Sequence, residues 1–157
     1  MAIGYRFTNI ELATMIDLLG ISGFQLLDIN TDGLTDEQKK ACKLHLGQIG
    51  VLHKCGAGYS MDAVMQVVIV SIACAESYIL SENCKTILIE NTEIIIELVK
   101  DQRINGIWHV YPFHTVLDLA LDEHGRYADD SMWFCITNTD AGWITWKQYM
   151  ERSIKHE

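Results

Sequence analysis

Four zinc-competent side chains, Cys42, His45, His53 and Cys55, crowd into one short span of this chain. Cys42 and His45 share a helix-like segment, and His53 and Cys55 sit on the turn beyond it. Structural zinc sites use tighter ligand pairs such as C-x2-C, and all four ligands must converge on a tetrahedron. The simpler assignment is a core Cys42, a half-buried His45 and a solvated His53, so no metal is expected. A second polar set, His109, His114, Asp118, Asp122 and His124, would gather around a strand end. Hydrolytic chemistry needs a nucleophile, a base and an orienting group held together, and this spacing fixes no such trio. Ser60, Ser71, Ser77, Ser81 and Ser131 stand in no G-x-S-x-G setting. Gly56 and Gly58 lack the lysine of a P-loop and the third glycine of a dinucleotide fingerprint. The residues argue for a protein that is not an enzyme and takes no cofactor.

The elements that would position these groups centre on Thr35 to Asp62. Thr35-Asp36-Glu37-Gln38 has the form of a capping box, with acids in the first turn where the helix dipole favours them. Ala41, Cys42, Leu46 and Ile49 then share one helix face, with Lys39, Lys40 and Lys43 opposite. Gly50 is the expected stop. Val51 to Lys54 and Tyr59 flank Cys55-Gly56-Ala57-Gly58, which suits a short hairpin. Helix followed by hairpin reads as the recognition helix and wing of a winged-helix-like unit. Upstream, Thr8-Asn9-Ile10-Glu11 is another capping box, opening a helix through Leu12, Met15, Ile16 and Leu19 to Gly20. Phe24, Leu26 and Leu27 would anchor the loop between the two helices. Ser60 is expected to cap a third helix, apolar nearly all round, running to about Leu80.

Beyond Cys84 the pattern becomes β-rich. Thr86–Glu90 and Ile94–Val99 are separated by Asn91-Thr92-Glu93, and Asn105-Gly106 is a strong two-residue hairpin signal. A three-strand antiparallel meander ending near Tyr111 is expected, with the single proline, Pro112, at its far end. Phe113, Val116, Leu117, Ala120 and Leu121 suggest a short helix. Trp133 to Ile136 suggest a fourth strand, and Asp140 is expected to cap a last helix carrying Trp143, Lys147, Met150 and Ile154. The fold class is α+β: a winged-helix-like N-terminal helical unit packed on a small antiparallel β-sheet with a C-terminal helix. One domain, 1–157, is expected, helical over 1–82 and sheet plus helix over 83–157.

Composition narrows the function classes. The 157 residues are 49% apolar and 21% charged, with a formal charge of −9. That charge opposes general nucleic-acid binding, which depends on lysine and arginine neutralising phosphates. The excess is uneven: residues 1–60 are near neutral. Five cysteines without a CxxC pair, and an opening MAIGYRF with neither a basic nor an apolar leader, point to a reducing cytoplasm. The apolar run Ala63–Ala75 is too short to cross a bilayer, so no membrane role is expected. DNA binding through the lysine stripe of the second helix is the sharper alternative, but no arginine there can read guanine bidentately. Trp108, Tyr111, Phe113, Trp133, Phe134, Trp143, Trp146 and Tyr149 crowd the second half, and aromatics concentrate at protein interfaces.

Phe7-Thr8-Asn9-Ile10-Glu11-Leu12, Leu34-Thr35-Asp36-Glu37, Leu46-Gly47-Gln48-Ile49-Gly50-Val51-Leu52 and Tyr59 precede a long apolar helix and a β-meander. In this order, over about Phe7 to Leu121, the chain resembles the repeating half of the EspG-like type VII secretion chaperones and small proteins related to them. The resemblance implies a cytosolic protein that holds a helical secretion substrate before export. That family carries two related halves in one chain and this sequence has about one, which implies either a homodimer or a single-half relative with another partner. The expected function is therefore non-enzymatic binding of a helical polypeptide, with Trp108, Tyr111 and Phe113 as contact residues. A winged-helix transcription regulator, or an acidic immunity-type protein that plugs a toxin, are the alternatives.

Overall fold

The computed structural model describes residues 4–21, 33–83, 85–91, 94–116, 118–119 and 127–155. The chain is α+β and divides into two compact units: Phe7–Cys74, and Met1–Arg6 together with Ala75–Glu157.

The first unit is helical with a small hairpin. Helix α1 (Asn9–Leu18) begins where the Thr8 hydroxyl accepts the Glu11 amide and Glu11 accepts the Thr8 amide in return. Leu12, Met15 and Ile16 on this helix are fully buried. Helix α2 (Asp36–Gln48) starts through the same reciprocal pair, Thr35 and Gln38. Its buried stripe is narrower than the wheel suggested: Cys42 and Leu46 are inside, whereas Ala41 and Ile49 are exposed. Two residues one turn apart suffice to seat an edge helix, and the flanking apolar positions then stay in water. Gly50, at φ +81°, carries the chain into β2 (Leu52–Cys55) and β3 (Gly58–Met61). These strands pair antiparallel as a separate two-stranded sheet that turns at Gly56, φ +59°, where a side chain would strain the backbone. The hairpin lies where the wing was expected.

Helix α3 (Ala63–Ala73) is capped by Asp62, whose carboxylate accepts the Met65 amide. Ser60, the expected cap, instead sits in β3 opposite His53. The helix also stops seven residues short of Leu80. It buries Met65, Val68, Ile69 and Ile72 and exposes Val64 and Val70. Apolar composition on every side did not mean burial on every side.

The second unit is built on a sheet much larger than a meander. The strands of that sheet are β1 (Tyr5–Thr8, of which Tyr5 and Arg6 fall in this unit), β4 (Tyr78–Ser81), β5 (Thr86–Glu90), β6 (Ile95–Lys100), β7 (Ile107–Phe113), β8 (Met132–Ile136) and β9 (Ala141–Thr145). They lie in the order β1-β7-β6-β5-β4-β8-β9, and the pairings from β7 through to β9 are antiparallel. Tyr78–Ser81, where the expected third helix was to end at about Leu80, is drawn into the sheet because β5 and β8 both pair with it. The loop at Asn105-Gly106 is wider than two residues. β6 ends at Lys100, and the Asp101 carboxylate accepts the amides of Arg103 and Ile104, folding residues 101–106 into a longer turn. Gly106 still supplies a left-handed step, at φ +81°.

Trp143 is in strand, not helix. Asp140 closes the β8–β9 turn with Thr137, and the last helix, α4 (Trp146–Lys155), starts at a third reciprocal pair, Thr145 and Gln148. One face of the sheet is covered by α4 and the segment after β7. Trp146, Tyr149, Tyr127, Val116 and Leu119 pack there on Ile79, Leu88, Ile95, Phe113, Trp133 and Cys135. Buried Glu97 on this face accepts the Tyr127 hydroxyl, as a carboxylate out of water must find donors. Thr115 caps the turn that carries Val116 and Leu119. Leu117, Ala120 and Leu121 of the expected short helix, and loop anchors Phe24, Leu26 and Leu27, lie outside the described residues. No described helix is long and apolar enough to cross a membrane.

Candidate interaction surface

Strand alternation sorts the last three strands cleanly. In Met132–Ile136, Trp133 and Cys135 enter the core, so Met132, Phe134 and Ile136 point the other way. The register sets Phe134 between Leu80 on β4 and Trp143 on β9, and Ile136 between Tyr78 and Ala141. Directly paired residues share a face. Tyr78, Leu80, Met132, Phe134, Ile136 and Trp143 therefore form one continuous strip on the side of the sheet opposite α4. No member is charged. Trp143 is 54% exposed and Met132 36%, and the other four are partly accessible. The Phe134 and Trp143 rings meet edge on, with centroids 5.3 Å apart. β9 is the terminal strand of the sheet, so the strip runs out to an edge. That edge, Ala141 to Thr145, carries no lysine, proline or acid of the kind that ordinarily discourages strand addition.

Trp108, Tyr111 and Phe113 do not make such a surface. Trp108 and Phe113 are buried, at 7% and 6% exposure. The unbroken β6–β7 register places Trp108 opposite Lys100 and Phe113 opposite Ile95, and an offset of five positions along the strand puts the two on opposite faces. Phe113 belongs to the core beneath α4, with Tyr111 packed beside it on the same face. Tyr111 is half-buried, and a side chain at Gly4 would collide with its ring. The trio is split between two faces and mostly enclosed; among the described aromatics of this sheet the exposed one is Trp143.

The polar sets stay apart as well. His45 donates from Nδ1 to the buried Glu11 carboxylate, at 2.5 Å. Burial pushes the Cys42 thiol up from its usual value, which holds it protonated rather than as a ligand thiolate. His53 and Cys55 are exposed on the hairpin, where the Cys55 sulfur meets the Ser60 hydroxyl. Among the described residues no three His, Cys, Asp or Glu side chains are placed to hold a metal ion. His109 donates from Nε2 to Asp101, 2.9 Å away, and His114 and Asp118 are exposed. Asp122 and His124 lie outside the described residues. In the lysine stripe, Lys39 pairs with Asp17 at 3.3 Å and Lys43 lies over the Tyr59 ring at 5.8 Å.

No protein-family model matches the chain, and no curated protein matches it. The alternation in Met132-Trp133-Phe134-Cys135-Ile136 was the available signal for the strip. Its other half was hidden because Trp143 reads as helical when Asp140 is taken as a cap.

Proposed function

We propose that this chain is a non-enzymatic protein-binding protein, a cytoplasmic chaperone or accessory factor that grips a helical secretion substrate on the outer face of β4, β8 and β9. The observation that carries the reading is the uncharged strip ending in Trp143. Scattered apolar residues on a surface need no explanation, whereas a contiguous aromatic and aliphatic strip does. A tryptophan stacked edge on against a phenylalanine is a rigid anchor of the kind that dominates binding energy at interfaces. An amphipathic helix with apolar residues at i, i+3, i+4 and i+7 would lay that stripe along it. The surroundings favour a partner whose polar flanks are basic: residues 75–157 carry fourteen acidic and seven basic side chains. The likeness to EspG-like chaperones supplies the substrate class, a type VII secretion protein. A DNA-binding role has less support, because two of the three lysines in the α2 stripe are engaged within their own unit.

The test is co-purification from native cytosol with identification by mass spectrometry, comparing wild type, Trp143→Ser and a Val64→Ser/Val70→Ser control. Wild type and control should retain a helical protein that Trp143→Ser releases while keeping its circular dichroism spectrum. If folded Trp143→Ser holds the same partner as wild type, this surface is not the grip. A toxin in place of a secretion protein would move the assignment to the immunity class.

A further inference from the structure

At one end of the sheet the β4–β5 turn and the β6–β7 turn enclose an open basin of about 390 Å³ lined by Asn83, Lys85, Lys100, Asp101, Gln102, Arg103 and Asn105. No lining residue is apolar. We infer that this basin is an anion site that takes a compact diphosphate group. The inference does not rest on the partner-binding reading, since it uses other residues and another end of the unit.

Charge makes the basin unusual. A chain with a formal charge of −9 brings Lys85, Lys100 and Arg103 together around one concavity. Among the described residues none of the three has an acidic side chain within ion-pair distance. Three cations and one carboxylate around a single concavity leave it net positive, and an anion seated there is attracted. The one acid in the lining is already occupied. Asp101 Oδ1 accepts the amides of Arg103 and Ile104, both at 2.8 Å, and Oδ2 accepts His109 Nε2–H at 2.9 Å. Both its oxygens are taken up in shaping the turn that presents Arg103, and its charge leaves the lining, with Lys85, Lys100 and Arg103, a net positive charge. Glu82, in the neighbouring turn, is exposed and does not line the basin.

The turns are also braced. Asn83 Oδ1 accepts the Ser81 hydroxyl and the Lys85 amide, and the Ser81 oxygen accepts the Thr86 amide. With its oxygen committed, Asn83 has its amide N–H groups to offer. The Lys100 amide donates to the Lys85 carbonyl at 2.8 Å, which ties the two turns together. The basin thus combines two ammonium groups, a guanidinium fork and three side-chain amides. That donor set suits the many oxygens of phosphoryl groups, which a guanidinium binds bidentately. The volume is at the lower end of the ~300–1,000 Å³ typical of small-molecule sites. The absence of any aromatic or aliphatic wall excludes a site that grips a nucleobase by stacking.

Isothermal titration of the full chain with pyrophosphate in 150 mM salt tests the inference, together with backbone NMR mapping. Saturable binding is expected, with shifts confined to the amides of 83–86 and 100–106. Lys100→Gln and Arg103→Gln should each weaken it roughly tenfold or more, the loss of one charge-assisted contact. Lys39→Gln/Lys40→Gln on α2 should leave it unchanged. No heat at millimolar pyrophosphate, equal binding of citrate, or shifts centred elsewhere would each overturn the assignment. Because the mapping uses the wild-type chain, the outcome does not depend on how the variants fold.

Discussion

Two tryptophans with the same sequence-level appeal have opposite surroundings. Trp108 is 7% exposed and Trp143 is 54% exposed. Trp108→Ala should therefore lower unfolding free energy by about 3–5 kcal/mol, the usual cost of emptying a core aromatic site. Trp143→Ala should stay within about 0.5 kcal/mol of wild type, as surface changes do. Urea denaturation of the two variants side by side checks this, and a Trp108→Ala protein as stable as wild type would show that the site is not packed. Asp101 gives a pH-dependent expectation. The His109 hydrogen bond first, then the amides of Ile104 and Arg103, lower its pKa from the ordinary 3.8 to about 2. A folded-state pKa below the unfolded one contributes stability above about pH 4 that is lost as pH falls through about 2. Asp101→Asn should flatten the melting temperature between those limits relative to wild type. A parallel fall in both proteins would assign the acid sensitivity to other carboxylates.

Three of the helix starts among the described residues follow one local rule, and α3, capped one way by Asp62, does not. Thr8 with Glu11, Thr35 with Gln38 and Thr145 with Gln148 each exchange a side-chain and a backbone hydrogen bond. Two of the three were legible because the partners are four consecutive residues. The third was equally local, in Thr145-Trp146-Lys147-Gln148, yet Asp140 offered a competing cap. Thr35→Ala and Thr145→Ala should each cost about 1 kcal/mol, within the ~0.5–2 kcal/mol range for lost caps. Thermal melts followed by far-UV circular dichroism measure it. An unchanged melting temperature in Thr145→Ala would mean that the helix start is held by Trp146 packing instead. Strand extents were read less well than helix starts. Tyr78–Ser81 and Ala141–Thr145 are short, and only their neighbours β5 and β8 make them strands.

Across the whole chain the acidic balance bears on the rival assignments. With a formal charge of −9 and an α2 lysine stripe in which Asp17 pairs with Lys39 and the Tyr59 ring underlies Lys43, duplex DNA should find no extended phosphate-binding track. A mobility-shift assay over a series of salt concentrations should show no retained duplex at 150 mM salt. A shift that weakens steeply with salt would revive the winged-helix regulator. The division of the chain at Cys74/Ala75, with residues 1–6 joining the later unit, was not visible in composition. No linker-like stretch marks it, because the chain passes between the units within β1 and again in the short connection between α3 and β4.

What local chemistry could specify was specified by residue order alone: α+β content, the capped starts of α1 and α2, the glycine-turned hairpin after α2, and three strands expected at 86–90, at 94–99 and up to about Tyr111, where the structure has 86–90, 95–100 and 107–113, the last taking in Phe113, which was expected in a helix. These depend on hydrogen bonds and side-chain periods spanning a few residues. The seven-strand order, the sorting of aromatics into buried and open, and the meeting of Lys85 with Lys100 and Arg103 belong to tertiary structure. A strand's sidedness becomes burial only when its neighbours and the layer above it are in place, and those neighbours are distant in sequence.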